Sequence, residues 1–224
     1  LSIRRTSCKS LVMSRDGRSD CCCTNKQMNF QITPNGLQPI EGLSIELRAN
    51  NDSFKISFGQ GRIDILRNKI STEDNLEPID DFISKVKRII SMLTQAYPTW
   101  IINRLALCLN VCFDLDIEHL VSSYRKFVAK DSQNIVEWRL RNGIRKPFSE
   151  GSNILVNQVS TISRSVFQTS FEQLPSDRIL VETDFNTMVG QDINFNPELI
   201  ASILEATKTD TLQLIDEYNR LLTN

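Results

Sequence analysis

The sequence predicts an α+β fold: an antiparallel sheet meander with two amphipathic helices and a long C-terminal helix packed on the sheet. Three observations carry this. Apolar residues alternate at period two in several short runs separated by Gly, Asn and Pro. Two segments hold apolar residues at steps of three and four, the spacing of a helix with one buried stripe. Asn196-Pro197, a capping residue followed by proline in the first helical turn, opens a terminal amphipathic stretch.

Residues 1–27 are rich in Ser, Arg, Cys and Asp, hold neither period, and are expected to be irregular. Residues 28–224 are expected to form a single α+β domain, with a division near residue 100 as the alternative. Met28, Phe30 and Ile32 alternate before a Pro34-Asn35-Gly36 turn, and Leu43, Ile45 and Leu47 alternate next. Phe54, Ile56 and Phe58 lead through Gly59-Gln60-Gly61 to Ile63 and Ile65, which reads as a hairpin. A helix follows from about Pro78 to Ala96, its stripe made by Ile79, Phe82, Ile83, Val86, Ile90 and Leu93. Asp80 and Asp81 favour its N-terminus, and Pro98 ends it.

Residues 104–113 read as a long strand, with Leu105, Leu107, Leu109, Val111 and Phe113 on one face. A second helix spans roughly 116–129, where Asp116 is a cap and Ile117, Leu120, Val121, Tyr124, Phe127 and Val128 form the stripe. Val136, Trp138 and Leu140 alternate with Glu137, Arg139 and Arg141, and Asn142-Gly143 then predicts a turn or bulge. Ile154 to Val166 and Ile179 to Phe185 read as the last strands. The terminal helix is expected to bury some of Leu199, Ile200, Ile203, Leu204, Leu214, Ile215, Tyr218 and Leu221. Leu199, Ile203, Leu214 and Tyr218 are expected to close the core, with the polar stretch Thr207–Thr211 bending or interrupting the helix. Strands joined by short turns are antiparallel, so the helices between them cover a face.

Charged residues make up 24% and hydrophobic residues 40%, the balance of a folded chain rather than a disordered one. No apolar run approaches the roughly 18–20 residues that cross a bilayer, so no membrane role is expected. The chain opens on Leu1 rather than Met, and Arg4, Arg5 and Lys9 precede no apolar signal core. Cys8, Cys21, Cys22, Cys23, Cys108 and Cys112 show no C-x-x-C spacing, and His119 is the one histidine. Reduced thiols in a cytoplasmic protein are the expectation, with no metal and no cofactor. Residues 170–224 carry ten Asp/Glu against three Lys/Arg, while the rest of the chain is net basic. That asymmetry either clamps two parts of one fold together or offers an acidic face to a partner.

Catalytic constellations are not visible. Gly59-Gln60-Gly61 joins two strands and opens no helix, so it lacks the amides that hold phosphate. His119 falls on the solvent face of its helix, near Lys126, and makes a poor general base. Asp64, Asp114, Asp116, Glu182 and Asp184 are the carboxylates that metal-dependent hydrolysis would need. The structural reading, in which Asp116 caps a helix and Glu182 and Asp184 face solvent, is preferred.

Arg139, Arg141, Arg145 and Lys146 form the one basic constellation, read as a nucleic-acid-binding candidate. Arginines at period two can track phosphates, but on a solvated strand they more often pair with carboxylates across the sheet. Trp138 alternates onto the apolar face and is assigned to the core. The preferred reading is a non-catalytic interaction or adaptor subunit with a protein partner or a second copy of itself. Nucleic-acid binding, or more remotely a nuclease, is the alternative.

Phe58-Gly59-Gln60-Gly61-Arg62-Ile63-Asp64-Ile65, the Arg104–Phe113 strand, Asn157 to Val166, and Thr183-Asp184-Phe185-Asn186-Thr187 resemble a sporadically distributed family of uncharacterised bacterial α+β proteins. The resemblance implies a bacterial source and an accessory role, such as in a mobile or antiviral defence gene cluster. It transfers no functional residue.

Overall fold

The computed structural model describes residues 5–14, 30–33, 36–39, 45–48, 53–59, 62–69, 71, 74, 76–98, 102, 104–128, 137–169, 172–188, 190–191, 193 and 195–223. The strands are β1 (Arg5–Ser14), β2 (Phe30–Thr33), β3 (Gly36–Pro39), β4 (Ile45–Arg48), β5 (Phe54–Gly59) and β6 (Arg62–Asn68). The remaining strands are β7 (Arg104–Phe113), β8 (Trp138–Pro147), β9 (Leu155–Phe167) and β10 (Ser176–Thr187). The helices are α1 (Ile79–Ala96), α2 (Ile117–Val128) and α3 (Pro197–Thr223).

Eight strands form one sheet in the order β4-β5-β6-β1-β7-β10-β9-β8, and every neighbouring pair is antiparallel. β2 and β3 make a separate hairpin around residues 34–35. The α+β meander with a long terminal helix is therefore the architecture of the molecule.

β1 corrects the reading of residues 1–27 as irregular. It stands between the three-stranded unit β4-β5-β6 and the four-stranded unit β7-β10-β9-β8, and the sheet runs through it. Its first six residues, Arg5 to Ser10, include no Val, Ile, Leu or aromatic residue, so no apolar period marks them. Backbone ladders on both sides, to β6 and β7, fix the strand where side-chain pattern does not. Residues 15–27, Met28, Leu43 and Val136 lie outside the described residues.

The hairpin at residues 59–62 is present, with Gly59 paired to Arg62. Asn142-Gly143 makes no turn. Asn142 pairs with Ser160 and Gly143 with Val159 in unbroken register, and β8 continues to Pro147. The chain reverses later, at residues 148–154, where Gly151 takes a φ of 74° that a Cβ would strain.

Register divides the sheet into two faces. Leu105, Leu107, Leu109, Val111 and Phe113 lie beside Ile179, Val181, Thr183, Phe185 and Thr187, which continue to Ile162, Arg164, Leu140 and Trp138. All three helices cover this inner face. α1 brings Phe82 edge-on to Phe54, with ring centroids 6.4 Å apart, and buries Ile79, Ile83, Val86 and Ile90. α2 sets Tyr124 and Phe127 against buried Trp138, at 6.1 Å and 5.7 Å. The Trp138 assignment to the core holds.

α3 lies on the same face, and the Tyr218 and Ser160 hydroxyls share a hydrogen bond at 3.0 Å. Its buried stripe is Ile200, Ile203, Leu204, Thr207, Thr211, Ile215 and Leu222; Leu199, Leu214 and Tyr218 only flank it. The helix runs without interruption through Thr207–Thr211. The Thr207 hydroxyl donates to the Ile203 carbonyl at 2.8 Å and that of Thr211 to Thr207 at 2.7 Å. Each hydroxyl is satisfied inside the helix, so it can be buried without a partner elsewhere. Asn196 caps α3 through the Leu199 amide at 2.8 Å, and Asp116 caps α2 through the His119 amide at 2.9 Å.

The charge asymmetry clamps the fold. Glu205 of α3 meets Lys87 of α1 at 2.5 Å, Lys208 meets Asp80 at 2.5 Å, and Asp210 meets Lys146 of β8 at 2.9 Å. Hydrogen bonds from Lys208 and then Lys87 hold the Glu205 carboxyl below its ordinary range.

Candidate functional site

β8 is an edge strand, and its alternation carries Arg139, Arg141 and Arg145 to the outer face of the sheet, away from the helices. Lys146 has the opposite parity. It points to the inner face and is tied to Asp210, so the four basic residues do not form one cluster. Arg139, with its side chain 68% exposed, crosses above Thr161 and Ser163 to Glu182 of β10 at 3.4 Å. Small side chains on β9 leave room for that reach. Arg145 Nε donates to Asn157 Oδ1 at 2.9 Å. Arg141 is exposed and has no ion pair among the described residues.

Behind the arginines a line of hydrogen bonds runs inward over four strands. Asn157 Nδ2 donates to Asn186 Oδ1 at 3.0 Å, and Asn186 Nδ2 donates to Asp184 Oδ1 at 3.0 Å. The Cys108 thiol of β7 donates to the same Asp184 oxygen at 3.7 Å. The outer face beside β8 thus carries both signs of charge, held in place by amides. It is a polar surface of fixed geometry rather than a uniform basic stripe.

The carboxylates do not assemble. Asp64 lies on β6, three strand spacings from β10 or roughly 14 Å across the ladder. Asp116 is committed to its cap and to His119 Nδ1 at 2.7 Å. His119 is half-buried against that cap rather than standing free on the solvent face. Among the described residues no three His, Cys, Asp or Glu side chains are grouped to hold a metal ion.

Asp114 belongs to a structural cluster that the sequence reading passed over. Arg178, 6% exposed, meets Asp114 at 2.5 Å and Glu172, while its guanidinium lies 5.7 Å from the Phe167 ring centre. The Glu172 carboxyl also accepts from the Thr169 amide at 3.1 Å and the Thr169 hydroxyl at 2.6 Å. Donation from Arg178, then Thr169, holds Glu172 down at about 2. A carboxyl lowered in the folded state stabilises above its unfolded value and loses that contribution as pH falls toward the folded one. The melting temperature is therefore expected to drop between about pH 4.5 and pH 2. Glu172→Gln should melt lower at neutral pH and show a shallower fall over that window, measured by thermal melts across pH.

No family model, curated protein or solved structure matches the chain.

Proposed function

We propose that the chain is a non-catalytic interaction subunit whose partner-binding surface is the outer, arginine-bearing side of β8. One observation carries this reading: all three helices lie on the inner face, and the exposed arginines stand on the other, at the sheet's edge. Mixed charge on that surface, with Arg139 beside Glu182 and Asp184 nearby, suits a protein surface better than a run of phosphates. The family resemblance supports a bacterial source and an accessory role in a mobile or defence gene cluster, and the cysteine spacing supports a reducing, cytoplasmic setting. A protein partner or a second copy of the chain would occupy the surface.

A second reading rests on Arg141, exposed without an ion pair two residues from Arg139. Those two arginines could follow a nucleic-acid backbone. Light scattering and native mass of the purified chain, alone and with the products of neighbouring genes, test the first reading. A discrete complex is expected; a monodisperse monomer that takes up none of them defeats it. Retention of labelled DNA and RNA tests the second, since affinity should fall by roughly one log unit per log salt for each neutralised phosphate.

A further inference from the structure

We infer that β8 receives, along its free edge, an extended strand from an acidic partner protein, in which acidic and apolar residues alternate. The inference deepens the interaction reading above and rests on it. β8 is ten residues long and, among the described residues, pairs on one side only and ends the sheet. Every second backbone amide and carbonyl of such a strand points away from its neighbour and can accept another strand.

The side chains specify that strand. Arg139, Arg141 and Arg145 share the outer face at alternate positions, interrupted only by Gly143. A strand laid beside them meets three positive charges on that face, and carboxylates there would pair across the ladder. The inner face of β8 asks for something different. Lys146 is already held by Asp210, while Ile144 is 51% exposed and Leu140 is partly buried. Residues of the incoming strand that point inward would therefore meet Leu140 and Ile144, with exposed Asn142 between them.

A second copy of β8 is a poor occupant. Residues opposite each other in an antiparallel ladder share a face, and the two registers that overlap β8 most with itself oppose two arginines. Centring on Asn142 sets Arg139 against Arg145, and centring on Gly143 sets Arg141 against Arg145. Like charges directly opposite are destabilising.

The test uses the full chain and a fluorescent peptide of about nine residues alternating Glu and Val, close to the span of β8. Anisotropy should report binding that a Lys–Val peptide does not show. N-methylation of the peptide amides that face β8 should weaken binding about tenfold or more, because it removes ladder hydrogen bonds. Arg139→Glu with Arg141→Glu should weaken it about tenfold or more, with the melting temperature unchanged. Equal binding of the N-methylated peptide overturns strand addition, and tighter binding of an oligothymidylate of similar length overturns it in favour of nucleic acid. A native complex that survives the double arginine reversal overturns the edge assignment while leaving the interaction-subunit reading intact.

Discussion

A chain truncated after Asp192 is expected to lose its cooperative melting transition and most of its solubility. The truncation removes α3, and with it Ile200, Ile203, Leu204, Ile215 and Leu222, all buried against the sheet. Val181, Phe185, Leu107 and Leu109, buried on the inner face, belong to strands that α3 packs against. Each buried aliphatic side chain contributes about 1.5–3 kcal/mol, and a whole domain is stable by only about 5–15 kcal/mol. The stripe is therefore comparable to the net stability, and the sheet should not survive its loss. At single-residue scale, Ile203→Ala should cost about 2–5 kcal/mol, while Leu212→Ala on the solvent side should stay within about 0.5 kcal/mol. Circular dichroism and thermal melts separate the outcomes. A soluble, cooperatively melting product would assign α3 to a partner rather than to the core.

Asp177→Ala should destabilise by about 3 kcal/mol, more than any surface ion pair in the molecule. Arg164 is 5% exposed on the inner face, and three contacts of 2.7–3.2 Å join its guanidinium to Asp177. Its Nη1 donates to the Leu120 carbonyl of α2 at 3.2 Å, so the same cation anchors a helix to the sheet. Removing Asp177 takes away the carboxylate that compensates this buried charge. The figure sits at the low end for a broken buried pair because Asp177 keeps 32% of its side chain in contact with solvent. Converting both partners, Arg164→Met with Asp177→Leu, should recover most of the loss, since the uncompensated charge goes with the pair. Chemical denaturation of the two single variants and the double variant completes the cycle.

What was legible in the sequence follows from how strongly one face of each element is buried. α1 could be read almost residue by residue, because Ile79, Phe82, Ile83, Val86 and Ile90 are the buried residues and nothing polar interrupts them. α3 was legible as a helix, and Ile200, Ile203, Leu204 and Ile215 of its stripe were legible with it, but the polar members of that stripe were not. Thr207 and Thr211 sit in the buried stripe, and a threonine back-bonded to its own helix looks polar to any pattern count. β1 was missed because its place is set by ladders rather than by an apolar period.

At the candidate site, the parity of β8 placed Arg139 and Arg141 correctly on one face, and the same parity separates Lys146 from them. Sequence spacing alone had joined all four. Arg164 left a faint signal, an arginine between Ile162 and Val166 in an apolar alternation, while Arg178 alternates with Ser176, Leu180 and Glu182 and left none. Their partners, Asp177, Asp114 and Glu172, are distributed over separate segments, and only the folded registers bring them together.

The central position of β1 sets an order of events during folding. It precedes the other described strands in the chain, and its two neighbours, β6 and β7, come much later: Ser14 pairs with Arg62, and Arg5 with Phe113. The β4-β5-β6 and β8-β9-β10 meanders close through contacts near in sequence, whereas β7 reaches β10, and β1 reaches β6 and β7, only across long stretches of chain. Until β1 docks, β6 and β7 present unpaired edges, the condition under which chains pair with one another instead of with themselves. Long-range strand pairing of this kind is slow, since loop closure precedes the contacts that reward it. The interval before β1 docks is thus the period in which this chain is most exposed to aggregation and most dependent on whatever shields a nascent sheet.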